Sequence, residues 1–341
     1  MHSEPPSASR RRHIRSSVEV YMSYRVLYWT RATEDVYQVI RTNMPKGWTL
    51  MTPERGTPES CRAQLADAHF LLSAAWPIGE GELRDAPKLL MVQHQGVGYE
   101  GIDTSALKAR GIPFAICPTG TTVGVAEHTI LLILAVYKRL VVADTKLRQG
   151  TWLQWGLRPI SFELAGKTLG LLGFGRIGQA VARRAHAFDA RILYCDHFLP
   201  RVPAVAEVWG VRSVALDELL TASDIVSVHV PLTSETRKCL GATQFRKMKR
   251  SAILINTARG AVLDERALIQ ALQDKLIAGA GLDVFEKEPI DSNNPLLTMD
   301  NVILTPHISA GTVDALNQKM RAVFANFERC VKGEEIHDRV V

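Results

Sequence analysis

The sequence predicts an α/β protein made of two doubly wound parallel-sheet domains with a cleft between them. Three observations predict it. The 341 residues exceed what one hydrophobic core usually organises. Short apolar runs alternate with helix-length segments along most of the chain. A long apolar helical stretch interrupts that alternation and splits it into two arrays. The expected division is a tail over 1–21, a first domain over 22–123 rejoined by 310–341, and a second domain over 124–309.

The opening stretch, MHSEPPSASRRRHIRSSVEV, is polar and rich in Pro, Ser and Arg, so it reads as a disordered tail, with Met22 a candidate alternative start. It lacks the apolar run of a secretory signal. Its Arg and Ser content suggests an organelle transit peptide, but Glu4, Glu19 and the missing apolar face favour a plain tail. From Tyr24 the first array runs YRVLYW, DVYQVIRTNM, the helix-like PESCRAQLADA, HFLLSAA and KLLMVQHQGVGYE. Val125 to Val142 then reads as one apolar helix, too buried on all sides for a surface element, at the domain junction or against a partner subunit. The second array follows as KTLGLL, RILYCD, DIVSVHV, AILINTA, AGAGLDV and NVILTPH. After His307 a helical pattern remains with no strands of its own, so it is expected to pack back on the first domain.

Apolar content of 46% with mixed charge is that of a soluble globular enzyme, and 24 Gly with 16 Pro speak for turns. The net charge of +6 is partly the cluster Arg10, Arg11, Arg12 and Arg15, which gives a nucleic-acid role little support. The longest apolar run, Thr129 to Val136, is far shorter than the roughly 20 residues that span a bilayer. No membrane segment is expected. Five cysteines, odd in number and never spaced as CxxC, fit a reducing, cytoplasmic setting and argue against zinc; no metal is expected.

Gly173-Phe174-Gly175-Arg176-Ile177-Gly178 is a GxGxxG turn directly after the apolar strand KTLGLL and directly before the helical run QAVARRAHAF. In that setting Gly173 permits the tight turn, Gly175 admits a pyrophosphate and Gly178 allows close helix–strand packing; Arg176 and Ile177 lie inside the turn and count with it. The next strand ends in Asp196, 18 residues after Gly178, where a carboxylate meets the ribose hydroxyls and repels a 2′-phosphate. The cofactor is therefore NAD in preference to NADP, although His197 and Arg201 nearby soften that exclusion.

Three ionisable residues each follow an apolar strand of the second array: Arg259, Glu288 and His307. Strand carboxyl ends line the ligand crevice of an open parallel sheet, so the three can converge near a bound cofactor. Thr257 and Ala258 beside Arg259, and His229 and Pro231 at the end of DIVSVHV, count with the cofactor site on the same ground. His128, beside Glu127, reads as a hydrogen-bonding residue at a helix start. Trp76 falls in a strand-end loop, where it either shapes the substrate pocket or caps the core.

GFGRIG, NTARG (256–260), LDVFEKEP (282–289) and TPHISAG (305–311) resemble the signatures of the D-isomer-specific 2-hydroxyacid dehydrogenases, and the resemblance spans nearly all of 24–333. It implies a Rossmann NAD domain and a flavodoxin-like substrate domain. It also implies hydride transfer between nicotinamide and a small 2-keto or 2-hydroxy acid. It assigns the catalytic arginine, glutamate and histidine to Arg259, Glu288 and His307, and a nicotinamide-amide contact to Asp283. HQGVGYE (94–100) resembles the loop whose backbone N–H groups, here of Val97 and Gly98, hold the substrate carboxylate. TTVGVAEHT (121–129) resembles the start of the interdomain helix. On this reading His307 protonates the keto oxygen, Glu288 orients it and raises its pKa, and Arg259 grips the carboxylate.

The loop LLSAAWPIG offers no basic residue for a phosphate, which counts against phosphoglycerate, and only 34 residues follow His307, too few for a regulatory domain. Glu288 counts against formate dehydrogenases, which pair the histidine with glutamine. Glyoxylate, hydroxypyruvate and bulkier 2-keto acids all remain open, and the motifs do not separate them from phosphite oxidation. A rival class is an NAD-sensing corepressor-like binding protein on the same fold, for which the sequence offers no peptide groove. A two-fold homodimer is expected from the apolar helix.

Overall fold

In the computed structural model, residues 23–198 and 203–341 are described; the expected tail, Met22 and Arg201 lie outside them. The first sheet holds β1 (Arg25–Trp29), β2 (Thr49–Met51), β3 (Phe70–Ser73), β4 (Met91–His94) and β5 (Phe114–Ala115), with helices α1 (Glu34–Asn43), α2 (Glu80–Arg84) and α3 (Thr104–Ala109) between them. Its strands are parallel in the order β2-β1-β3-β4-β5, the flavodoxin-like winding. Successive side chains of β1 point to opposite faces and both faces are covered: Leu27 and Trp29 join one core, Val26 and Tyr28 the other. That is why the run reads as continuously apolar.

Two helices follow, α4 (Thr121–Tyr137) and α5 (Leu140–Arg148). This differs from the single helix expected over 125–142. The chain turns at Arg139, whose φ of +53° is left-handed, and α5 buries none of its residues. Apolar periodicity ran through the break because Leu140, Val141 and Leu147 are apolar yet exposed. α4 packs on the second sheet and, with 10 of its 17 residues buried, is mostly core.

The second sheet is larger. Its strands are β6 (Thr168–Leu172), β7 (Arg191–Cys195), β8 (Arg212–Ser213), β9 (Ile225–Val228), β10 (Ile253–Asn256), β11 (Gly279–Leu282) and β12 (Val302–Leu304). Between them run α6 (Arg176–His186), α7 (Ala204–Glu207), α8 (Leu216–Ala222), α9 (Ala242–Lys247) and α10 (Glu265–Gln273), and α11 (Val313–Lys332) closes the helical part of the chain. The parallel order β12-β11-β10-β9-β6-β7-β8 reverses direction between β6 and β9, the Rossmann switch point that leaves a crevice at the strand ends. α11 lies against α1 and β4, where Met320, Val323, Phe324 and Phe327 join Val26, Tyr28 and Phe70 in one core. The last residues then pair with β5, Phe114 N–H donating to Val341 O at 3.1 Å.

Candidate active site

The glycine turn is built as its spacing demands. Gly173 has φ +99°, and a Cβ there would meet the His229 carbonyl at 2.7 Å; a Cβ on Gly178 would strike the Gly173 oxygen. Gly175 is exposed with nothing near its missing Cβ, an open cradle at the N-terminus of α6. Arg176 is exposed beside it, and Ile177 packs partly on the core. Asp196 stands across the turn, half-buried, its Oδ2 accepting from Phe174 N–H at 2.7 Å and its Oδ1 from Phe198 N–H at 2.8 Å. Open backbone, helix N-terminus and a carboxylate at the next strand end fit a dinucleotide. His229 backs the turn, with its Nε2 2.9 Å from Ser227 Oγ, and Pro231 is exposed two residues on. Burial pushes the His229 imidazole down to about 3.

The three ionisable residues gather at the same edge. Asn256, buried at the end of β10, closes the turn that presents Arg259: its Nδ2 donates to Arg259 O at 2.9 Å and its Oδ1 accepts from Ala258 N–H at 3.0 Å. The Arg259 guanidinium donates from NH1 to Ala258 O at 2.7 Å and lies directly on Gly98, where any Cβ would collide with it. Its Nε donates to Glu100 Oε1 at 3.1 Å. Residues of NTARG and of HQGVGYE, from different sheets, therefore meet across the cleft. Val97 is exposed beside Gly98.

His307 follows β12 in a left-handed conformation, φ +53°. Its Nδ1 is 2.7 Å from Glu288 Oε2, and Glu288 Oε1 accepts from Phe285 N–H at 3.0 Å. The hydrogen bond to Glu288 holds the imidazole pKa above its ordinary value, against burial and the nearby Arg259 charge. Burial works to raise the Glu288 pKa, but the bonds from His307 and the Phe285 amide outweigh it and hold it low. Both shifts favour the charged pair. Nε2 is left to face a reactant, since Nδ1 is taken.

Asp283 is fully buried at the end of β11. It accepts from Thr305 Oγ1 at 2.6 Å, Ile308 N–H at 2.9 Å and Ser309 N–H at 2.9 Å, so it grips the loop that carries His307. Thr257 is buried with its Oγ1 3.0 Å from Thr129 Oγ1 on α4. Trp76, half-buried after β3, sets its ring edge-on to Trp29 at 5.6 Å, so it packs on the first core while keeping part of its surface open.

Sequence reasoning gave no role to Glu100 or to His94. His94 is buried at the end of β4, its Nδ1 2.9 Å from Ser73 Oγ; burial, then the Arg259 charge, push it down to about 4. It stays neutral beneath the Val97–Gly98 loop. An acid at the end of that loop was visible in HQGVGYE, but its partner lies 159 residues away.

Residues 130–309 match the D-isomer specific 2-hydroxyacid dehydrogenase, NAD binding domain. A glyoxylate reductase of Korarchaeum cryptofilum is 43% identical over 260 residues, covering 76% of this chain and 78% of that protein. A D-3-phosphoglycerate dehydrogenase of Archaeoglobus fulgidus is 42% identical over 233 residues, covering 68% of this chain and 44% of that one. Among solved structures, D-lactate dehydrogenase from Escherichia coli superposes with a TM-score of 0.83 at 27% identity, over 94% of this chain and 100% of that one. The chain belongs to the D-isomer-specific 2-hydroxyacid dehydrogenases and is an NAD-dependent oxidoreductase of that family.

Proposed function

We propose that the protein reduces a small 2-keto monocarboxylic acid of the glyoxylate class to its D-2-hydroxy acid, or runs the reverse, with His307 as general acid and base. The observation that carries this is the His307 Nδ1 to Glu288 Oε2 contact of 2.7 Å, at the crevice edge that also holds Arg259 and the glycine turn. NAD, when bound, supplies or accepts the hydride. Gly173, Gly175, Arg176, Ile177, Gly178 and Asp196 would hold it along the turn, His229 and Pro231 would line its adenine or nicotinamide-ribose side, Thr257 and Ala258 would border it beside Arg259, and Asp283 would contact the nicotinamide amide. Glu288 keeps Nδ1 engaged, so His307 presents Nε2 to the keto oxygen and gives it a proton in reduction. Arg259 and the Val97–Gly98 N–H groups hold the substrate carboxylate, which aims the alpha carbon at the cofactor. Trp76 borders the side-chain end of that pocket.

The name of the Korarchaeum relative supports glyoxylate as a first substrate and that of the Archaeoglobus relative a phosphorylated acid, and the missing cation in LLSAAWPIG speaks against the latter. The substrate domain is taken as 22–123 with 310–341, the NAD domain as 124–309. Pairing with a second copy is supported by the exposed Leu131, Leu140, Val141 and Leu147 of α4 and α5, and a cytoplasmic site by five free cysteines.

NADH oxidation with glyoxylate, hydroxypyruvate, pyruvate and phenylpyruvate tests the activity and separates it from a binding role. His307→Ala is expected to cut kcat by about a hundredfold to ten-thousandfold and to leave NADH affinity within about twofold. Undiminished turnover in that variant refutes the assignment of His307.

A further inference from the structure

The chemistry above makes no use of His128. It sits on α4, the helix that follows the first domain, with only 10% of its side chain exposed, and its Nε2 is 2.9 Å from Thr305 Oγ1. The direction of that bond follows from counting hydrogens. A hydroxyl has one hydrogen to give. Thr305 donates its hydrogen to Asp283 Oδ1, so the Thr305 oxygen accepts and His128 Nε2 must carry a proton. The same ring nitrogen lies 3.6 Å from Asp283 Oδ1 itself.

Asp283 in turn governs the His307 loop. Its backbone oxygen accepts from His307 N–H at 2.8 Å, and its carboxylate takes the next two amides, of Ile308 and Ser309. These bonds hold His307 at φ +53°, a conformation that residues other than glycine seldom adopt. α4 also touches the loop directly. A Cβ on Gly124, one turn before His128, would sit 2.9 Å from Ser309 O.

We propose that His128 is a positioning residue for His307: through Thr305 it fixes the Asp283 carboxylate, which fixes the left-handed turn that sets the imidazole against Glu288. This rests on the reading of His307 as the acid–base group, so the test includes one readout that needs no turnover.

His128→Leu removes the donor, His128→Gln keeps one within reach of Thr305, and Thr305→Val removes the relay while leaving His128 in place. Amide hydrogen exchange of Ile308 and Ser309, and kcat and KM with glyoxylate and NADH, are measured on each. In the Leu and Val variants, protection of the two amides is expected to fall by roughly fivefold to tenfold. Their kcat is expected to drop by about tenfold to a hundredfold, with KM for NADH within about twofold. Gln is expected to recover most of both losses. Wild-type protection in His128→Leu, a loss confined to one of the two readouts, or a Gln variant as impaired as Leu overturns the inference. Should His307→Ala retain full turnover, the acid–base reading falls and kcat no longer counts in the test, so the exchange measurement alone then decides whether His128 holds the loop.

Discussion

Arg259 Nε stands 3.1 Å from Glu100 Oε1, joining the turn after β10 to the loop after β4 and so linking the two sheets across the cleft. Glu100 thus places a carboxylate on the guanidinium edge proposed for the substrate. An incoming 2-keto acid must compete with it. At contact distance a like charge costs about 1 kcal/mol in a water-like medium, so Glu100→Gln is expected to lower KM for glyoxylate by roughly fivefold. Its kcat should stay within about twofold. Steady-state kinetics at low ionic strength, where screening is least, check this; a raised KM would mean that Glu100 helps to build the site.

The His307–Glu288 pair sets a pH dependence whose sign is fixed by its two shifts. His307 is raised, so its contribution to folding is full below its ordinary value of 6.5 and disappears as pH rises through the raised one. Glu288 is lowered, so its contribution is present above its ordinary value of 4.5 and disappears as pH falls through the lowered one. In the proposed reaction, reduction needs the imidazolium. Its kcat/KM should fall as pH rises through the His307 pKa, and Glu288→Gln should move that limb to lower pH. A pH–rate profile of both enzymes measures the displacement, and an unmoved limb would separate Glu288 from the titration.

Arg259→Lys keeps the charge and discards the fork. Arg259 spends Nε on Glu100 and NH1 on Ala258 O while its guanidinium still rests on Gly98, a geometry that an ammonium cannot reproduce. The expected loss in kcat/KM is about tenfold to a hundredfold, the worth of one charge-assisted hydrogen bond. Kinetics with the keto acid varied at saturating NADH decide it.

Asp196 is the residue proposed to set the cofactor preference. It is held in place by the Phe174 amide of the glycine turn. Asp196→Ala is expected to weaken NADH by roughly tenfold and to improve NADPH, because the ribose bonds and the repulsion of a 2′-phosphate leave together. Parallel titrations with the two cofactors read the ratio, and an NADPH affinity no better than before would assign discrimination to another group.

The sequence by itself determined both windings, because strands covered on both faces stay apolar throughout and glycine turns punctuate them; KTLGLL, GFGRIG and RILYCD are legible without coordinates as strand, turn and strand. It placed Arg259, Glu288 and His307 at strand ends for the same reason. Tertiary structure alone decided which side chains meet across the cleft. Glu100 meets Arg259 there, while His128 on α4 meets Thr305 against the second sheet; each pair is more than 150 residues apart along the chain, and no local periodicity encodes such a contact. It also decided the break at Arg139, where one left-handed residue redirects a helix whose apolar pattern continues unchanged, since hydrophobic spacing reports which residues avoid water and not where the backbone turns.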